Sequence, residues 1–232
     1  MSNLFELIKS AVFPPKCVIC SDYTDFDECL CSKCREIWEE EKAEECNKCG
    51  KSHTKCTCLI NNKGSGLFGV FHLAEYKKES VAGRLVYKLK NDHGPVKKFL
   101  ANELYKRLFE RNDFCEAIIT YVPRRKEAIK RNGCDQAREL ALELGKISEK
   151  EIHEFIVRRG KMAQKNLDSE KRYKNVKNSY FINEKTAELI KGKRIIIVDD
   201  IITTGATVSY IADLLIERGA LSVSAVSVAR RT

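Results

Sequence analysis

The run Ile195 to Val208, IIIVDDIITTGATV, constrains this chain more than any other stretch. Ile195 to Val198 is continuously apolar, the pattern of a parallel strand buried on both faces. Val208, Ile211, Leu214 and Leu215 then fall on one side of a helix that begins after Thr207. Between the two, Asp199 and Asp200 stand at a strand's carboxyl end, where they can accept hydrogen bonds from vicinal hydroxyls, as acidic residues do for ribose in doubly wound folds. Thr203, Thr204, Gly205, Ala206 and Thr207 add hydroxyls and closely spaced N–H groups at a helix N-terminus, which favours a phosphate dianion. No Gly-Lys-Ser/Thr follows, so the segment is not a P-loop.

A length of 232 residues suits one α/β domain plus a small appendage. We place the boundary at residue 60, with 1–60 as a Cys-rich module and 61–232 as the α/β domain. The net charge of +9 is unevenly spread. Residues 1–60 hold 8 Lys/Arg against 11 Asp/Glu, a balance of −3, and the remainder holds 34 against 22, or +12. A polyanion-binding surface is therefore expected mainly on the second part. No apolar run is long enough to cross a bilayer, and Glu6 and Lys9 interrupt the N-terminal one, so a cytosolic protein is expected. Leu4, Phe5, Ile8, Ala11 and Val12 form one face of a short helix ending before Pro14, read as docking onto the protein body.

Nine of the eleven cysteines lie between Cys17 and Cys58. Without an export signal, their two-residue spacings suit a metal better than disulfides. Cys17-x2-Cys20 and Cys31-x2-Cys34 form two knuckles that place four thiolates on one tetrahedral Zn2+, closed and therefore structural. Cys46-x2-Cys49 opens a second set that the irregular Cys56-x-Cys58 completes, with His53 as an alternative ligand. Cys29 is left over. Cys115 and Cys134 are read as small buried residues.

Leu67 to Tyr76 is aromatic and β-prone, read as an aromatic hairpin, and Lys77-Lys78-Glu79 is a polar turn or helix start. Two amphipathic helices follow, one carrying Leu85, Val86 and Leu89, the other Phe99, Leu100, Leu104 and Leu108. Lys88, Lys90, Lys97 and Lys98 on their polar faces are candidate contacts to nucleic-acid phosphates. Tyr76, Tyr87 and Tyr105 are read singly as core residues. Ala117 to Val122 is a second buried strand ending at Pro123-Arg124-Arg125, and paired guanidinium groups there suit a pyrophosphate. Gly133 relaxes the backbone before Asp135 caps a helix from Gln136 to Leu144. Ile152 to Val157, Ser179 to Ile182 and Leu221 to Val228 are further strands, and polar Arg158 to Val176 reads as a mobile loop.

The segment VDDIITTGAT closely resembles the phosphoribosyl-pyrophosphate (PRPP) loop of type I phosphoribosyltransferases. That resemblance implies a type I phosphoribosyltransferase-like parallel sheet flanked by helices, in which Asp199 and Asp200 hold the ribose hydroxyls as catalytic acids. Ile201 and Thr203 to Thr207 would wrap the 5′-phosphate, with Mg2+ accompanying PRPP and a loop closing over the substrate. A wider set of features is similar to the ComF family of competence proteins: the Cys knuckles after an apolar helix and Phe13-Pro14-Pro15, the segment PRRKEAIKRNGCDQARELA, and Gln164-x2-Leu167-x4-Arg172-x2-Asn175. This implies a cytosolic factor, working at the inner face of the membrane, that handles incoming single-stranded DNA in natural transformation with a helicase and recombination mediators. An active phosphoribosyltransferase serving a nucleobase is the alternative, and a zinc-ribbon transcription factor leaves VDDIITTGAT without a purpose. The chain departs from the ComF pattern at Gly133-Cys134-Asp135-Gln136, where Gly-Phe-Asn-Gln is usual, which puts a negative charge beside the expected pyrophosphate site.

Overall fold

The computed structural model describes residues 14–26, 28–42, 66–90, 94–109, 112–159 and 177–231. The N-terminal apolar helix, Cys46, Cys49, Cys56, Cys58 with His53, and most of the polar loop, including Gln164 and Arg172, lie outside the described residues.

The described elements are α1 (Ser32–Glu41), β1 (Leu67–Glu75), α2 (Val81–Leu89), α3 (Gly94–Phe109), α4 (Asn112–Cys115), β2 (Ala117–Tyr121), α5 (Lys126–Asn132) and α6 (Gln136–Ser148). They continue with β3 (Ile156–Arg158), β4 (Tyr180–Ile182), a 3-10 turn at Ala187–Ile190, β5 (Arg194–Ile202), α7 (Ala206–Glu217) and β6 (Ser222–Arg230). Four strands form an all-parallel sheet in the order β1-β6-β5-β2. Ile152 adds a parallel bridge to Ile119 on the outer edge of β2. β3 and β4 make a separate antiparallel pair.

The sheet is covered on both sides, which explains the unbroken apolar run Ile195 to Val198 of β5. Ile196 and Val198 of β5 face the cluster containing Leu140 and Leu144 of α6 and Leu85, Leu89, Leu100 and Leu104 of α2 and α3. Ile195 and Ile197 face the other cluster, with Val208, Ile211 and Leu215 of α7, Phe155, Ile156 and Ile190. The connection leaving β2 thus crosses one face through α6, and the one leaving β5 crosses the opposite face through α7. The chain reverses its winding between β2 and β5, and the crevice at the carboxyl ends of two such strands is where open α/β sheets bind ligands.

Three expectations are corrected in these elements. Leu67 to Tyr76 is no hairpin: β1 is a single strand that pairs in parallel with β6, and the expected polar turn, closed by the Ser80 N–H donating to the Lys77 carbonyl at 3.1 Å, leads into α2, capped by the Ser80 side chain accepting from the Gly83 N–H at 3.0 Å. Cys115 is exposed rather than buried, while Cys134 is buried. Of the three tyrosines, Tyr87 is 64% exposed, whereas Tyr76 and Tyr105 pack partly buried against the core. No helix among the described residues is long and apolar enough to cross a membrane.

The Cys-rich head is joined to this body by specific contacts. Trp38, fully buried, donates from Nε1 to Glu103 Oε2 at 3.0 Å. Lys42 and Lys106 complete the shell of Glu103 at 3.1 and 2.8 Å. The Glu41 carboxylate accepts from the Val81 and Ala82 N–H groups at 3.0 and 2.8 Å, so a head residue satisfies the first turn of α2. Lys42 forms an antiparallel bridge with Ala74 on β1.

Candidate sugar-phosphate site and cysteine cluster

β2 and β5 end at different heights, and the site lies on that step. β2 stays in register with β5 only to Tyr121, opposite Val198, whereas β5 continues against β6 to the Ile202–Arg230 pair. Asp199 and Asp200 therefore belong to the strand and not, as read from the sequence, to the loop after it. With β2 finished, their side chains meet the segment Val122 to Arg125 instead of another strand. Arg124 Nη2 donates to Asp200 Oδ2 at 2.7 Å, and Ile201 N–H donates to Asp200 Oδ1 at 2.9 Å. Asp200 N–H donates to Asp199 Oδ1 at 2.8 Å. Burial and the neighbouring Asp200 charge hold the Asp199 carboxyl well above the usual aspartate range.

Arg124 is itself fixed from below. Its backbone N–H donates to Asp135 Oδ2 at 2.8 Å, and Asp135 Oδ1 accepts from the Arg138 N–H at 3.3 Å while capping α6. Burial raises the Asp135 carboxyl, with both N–H donors opposing that shift. The Asp135 carboxylate thus spends both oxygens on the backbone, one of them at the arginine that pairs with Asp200. Gly133 ends α5 at φ 81°, a left-handed conformation that suits glycine.

These groups line a cavity of about 290 Å3 bounded by Pro123, Arg124, Arg125, Arg158, Tyr180, Asp199, Asp200, Ile201 and Thr207. Pro123, Arg124 and Arg158 also border an adjoining cleft of about 820 Å3 that contains Lys126, Arg138 and Arg159. Arg158, which the sequence placed in a mobile loop, is the last residue of β3, with its guanidinium 4.8 Å from the Tyr180 ring centre. Burial pushes the Tyr180 hydroxyl up to about 12. Neither Arg158 nor Tyr180 was legible as a site residue, because their pairing joins strands on opposite sides of the polar segment.

The threonine-rich turn closes the cavity at the start of α7. Gly205 is buried at φ 78° and its carbonyl accepts from the Ser209 N–H at 2.9 Å, opening the helix. Thr207 lines the cavity, and Thr203 and Thr204 are exposed in the turn before Ala206. Thr204 Oγ1 accepts from the Ala206 N–H at 3.4 Å. A helix N-terminus, three guanidinium groups and two adjacent carboxylates can together hold a molecule with vicinal hydroxyls and more than one phosphate.

In the head, the sulfurs of Cys17, Cys20, Cys31 and Cys34 all lie within 4.8 Å of one another. Cys20 and Cys31 sulfurs are 3.6 Å apart. A tetrahedral zinc with Zn–S bonds of about 2.3 Å needs sulfurs about 3.8 Å apart, so the cluster is compatible with a structural zinc site. Burial raises the Cys17 thiol, yet the N–H groups of Cys20, Cys31 and Ile19 carry it down to about 7, towards the thiolate a metal requires. Cys29 is buried beside the cluster but outside it, with its thiol pushed up to about 12 by burial.

The four candidate DNA-contacting lysines do not share one set of neighbours. Lys88 lies in the last turn of α2, and Lys90 directly follows that helix, its carbonyl accepting from Gln136 Nε2 at 3.3 Å. Lys97 turns to Glu139 of α6 at 3.3 Å, while the adjacent Lys98 borders a groove facing the head.

Residues 128–232 match the phosphoribosyl transferase domain family. No curated protein matches the chain. Among solved structures it resembles that of the allosteric regulatory enzyme of purine biosynthesis, with a TM-score of 0.39 at 19% sequence identity. That alignment covers 56% of this chain and 24% of the other, so the chain spans about a quarter of that protein's length. The chain therefore carries a phosphoribosyltransferase-type domain behind a four-cysteine cluster, on a parallel α/β sheet.

Proposed function

We propose that this chain is a ComF-type factor of natural transformation, which binds PRPP or a related sugar phosphate and handles single-stranded DNA in the cytosol at the inner face of the membrane. The reading rests on one conjunction above all: a four-cysteine cluster and the Asp199–Thr207 site occur in the same chain, together with the ComF-like sequence segments. In this reading Asp199 and Asp200 accept the ribose hydroxyls and Thr207 and the start of α7 receive the 5′-phosphate. Arg124, Arg125 and Arg158 neutralise the pyrophosphate. Mg2+, arriving on the pyrophosphate oxygens, supplies further charge neutralisation when bound. Zn2+ on Cys17, Cys20, Cys31 and Cys34 is structural, with Cys46, Cys49, Cys56 and Cys58 as the second candidate set. A competence helicase and recombination mediators are the expected protein partners.

A deletion strain tests the reading. Transformation should fall by orders of magnitude while growth without added purines or pyrimidines stays normal. The second reading, an active phosphoribosyltransferase, is favoured by the three arginines facing the two acids, since that charge arrangement suits a pyrophosphate leaving group. It predicts the reverse phenotype and pyrophosphate release from PRPP with a panel of bases, abolished by Asp199→Asn/Asp200→Asn.

A further inference from the structure

A second concave surface lies away from the sugar-phosphate site. A groove of about 780 Å3 runs between the Cys-rich head and α3, within the range of clefts that hold nucleotide-sized ligands. The head contributes Lys16, Phe26, Glu28 and Arg35, and α3 contributes Lys98 and Phe99 among others. Phe99 is a fixed floor, 5.7 Å from Trp38 in an edge-on contact and covered by the Arg35 guanidinium at 5.2 Å. Phe26, in contrast, leaves 53% of its surface exposed at the groove.

Charge in the groove is divided in a way that leaves cations available. Glu28 is ion-paired with Arg35. Glu103 is spent on Trp38, Lys42 and Lys106. Lys16 and Lys98 have no ion pair among the described residues. An open aromatic ring sharing a groove with ammonium groups that have no ion pair among the described residues is a combination that binds single strands without reading their sequence: the ring stacks on any base and the cations track phosphates.

We propose that this groove, assembled jointly by the Cys-rich head and α3, is the single-strand-binding surface of the protein, with Phe26 stacking a base and Lys16 and Lys98 contacting the flanking phosphates. The inference rests on the single-stranded DNA reading above and gives it a place. It divides the four lysines read from the sequence, keeping Lys98 and assigning Lys97 to its pair with Glu139. It also gives the head a second use, because the groove has only one wall without it.

The test is fluorescence anisotropy of the full-length protein with labelled oligothymidylate of about 15 nucleotides, measured across a salt series. Phe26→Ala should weaken binding at least about fivefold, and Phe26→Tyr, which keeps the ring, should restore it. Lys16→Glu/Lys98→Glu should lower the logarithmic salt slope by about 1.4, from about 0.7 per phosphate contact. Wild-type affinity in both groove variants, with loss instead in Lys88→Glu/Lys90→Glu, would overturn the groove while leaving single-strand binding intact. Absence of binding by the wild-type protein even at low salt would overturn the underlying reading itself. Equal competition by polyglutamate would overturn the stacking role. Circular dichroism of each variant separates these outcomes from misfolding, and if Phe26→Ala is unfolded Phe26→Leu, which keeps apolar bulk without the ring, takes its place and should show the same loss.

Discussion

Arg124 and Asp200, 76 positions apart in the sequence, meet at 2.7 Å across the crevice between β2 and β5. The contact ties the turn after one strand to the acid on another, at the point where the chain reverses its winding. It also presets the distance between the guanidinium expected to meet pyrophosphate and the carboxylate expected to meet ribose.

Ligand binding should therefore depend on both partners. Millimolar PRPP with Mg2+ is expected to raise the melting temperature of the wild-type protein through preferential binding to the folded state. Asp200→Asn and Arg124→Ala should each reduce apparent affinity at least tenfold, on the order of the 1.5–3 kcal/mol of a charge-assisted hydrogen bond. Differential scanning fluorimetry checks this, and an unchanged shift in both variants would remove the pair from the site.

Asp199 should carry a stability cost at neutral pH. Its folded-state carboxyl is raised above the ordinary value of 3.8 by burial and by Asp200, so the fold favours the protonated form. That contribution is fully present below about pH 3.8 and is lost as pH rises through the raised folded value. Asp199→Asn should consequently have a higher melting temperature than wild type at pH 7, with the gain shrinking towards pH 4, while losing the PRPP-induced shift.

Glu103 should behave in the opposite sense. Burial raises its carboxyl, but Lys106, Trp38 and Lys42 outweigh that and hold it below the ordinary 4.5. Its contribution is present above pH 4.5 and is lost as pH falls through the lowered folded value. Glu103→Gln is expected to cost about 1–3 kcal/mol at pH 7 in urea titrations, with the deficit narrowing on acidification.

The metal prediction follows from the four sulfurs. Anaerobically purified protein should contain at least one equivalent of zinc by elemental analysis, and Cys17→Ser/Cys20→Ser should lose one. Because Cys31 and Cys34 flank the start of α1 and Glu41 ends it, that variant should also lose hydrogen-exchange protection in the first turn of α2. Glu41→Ala should reproduce this local loss with the metal retained, at about 1 kcal/mol.

The strand at Ile195, the turn at Gly205, the Asp135 cap and the first cysteine knuckles could be read from the sequence because each is written in consecutive residues. What escaped depends on distant partners. β1 looked like half of a hairpin, since nothing within Leu67 to Tyr76 reveals that its mate is β6, about 150 residues on. The extension of β5 through Asp199 and Asp200 is sustained by β6 alone after β2 has ended. Arg158 belongs to the site because Tyr180 lies beside it, and Lys97 and Lys98 diverge although they are adjacent on one helix.

The bridge between Lys42 and Ala74 places a head residue against the outer side of β1, the rim of the parallel sheet. Were the head to detach, the β1 rim along Val70, Phe71 and Leu73 would become a template for strand addition by a second molecule. Chelation should then reveal itself as self-association, visible as rising light scattering while the parallel-sheet body stays folded. If the four cysteines hold zinc, the ion guards this sheet edge against a second copy of the chain as well as holding the head together.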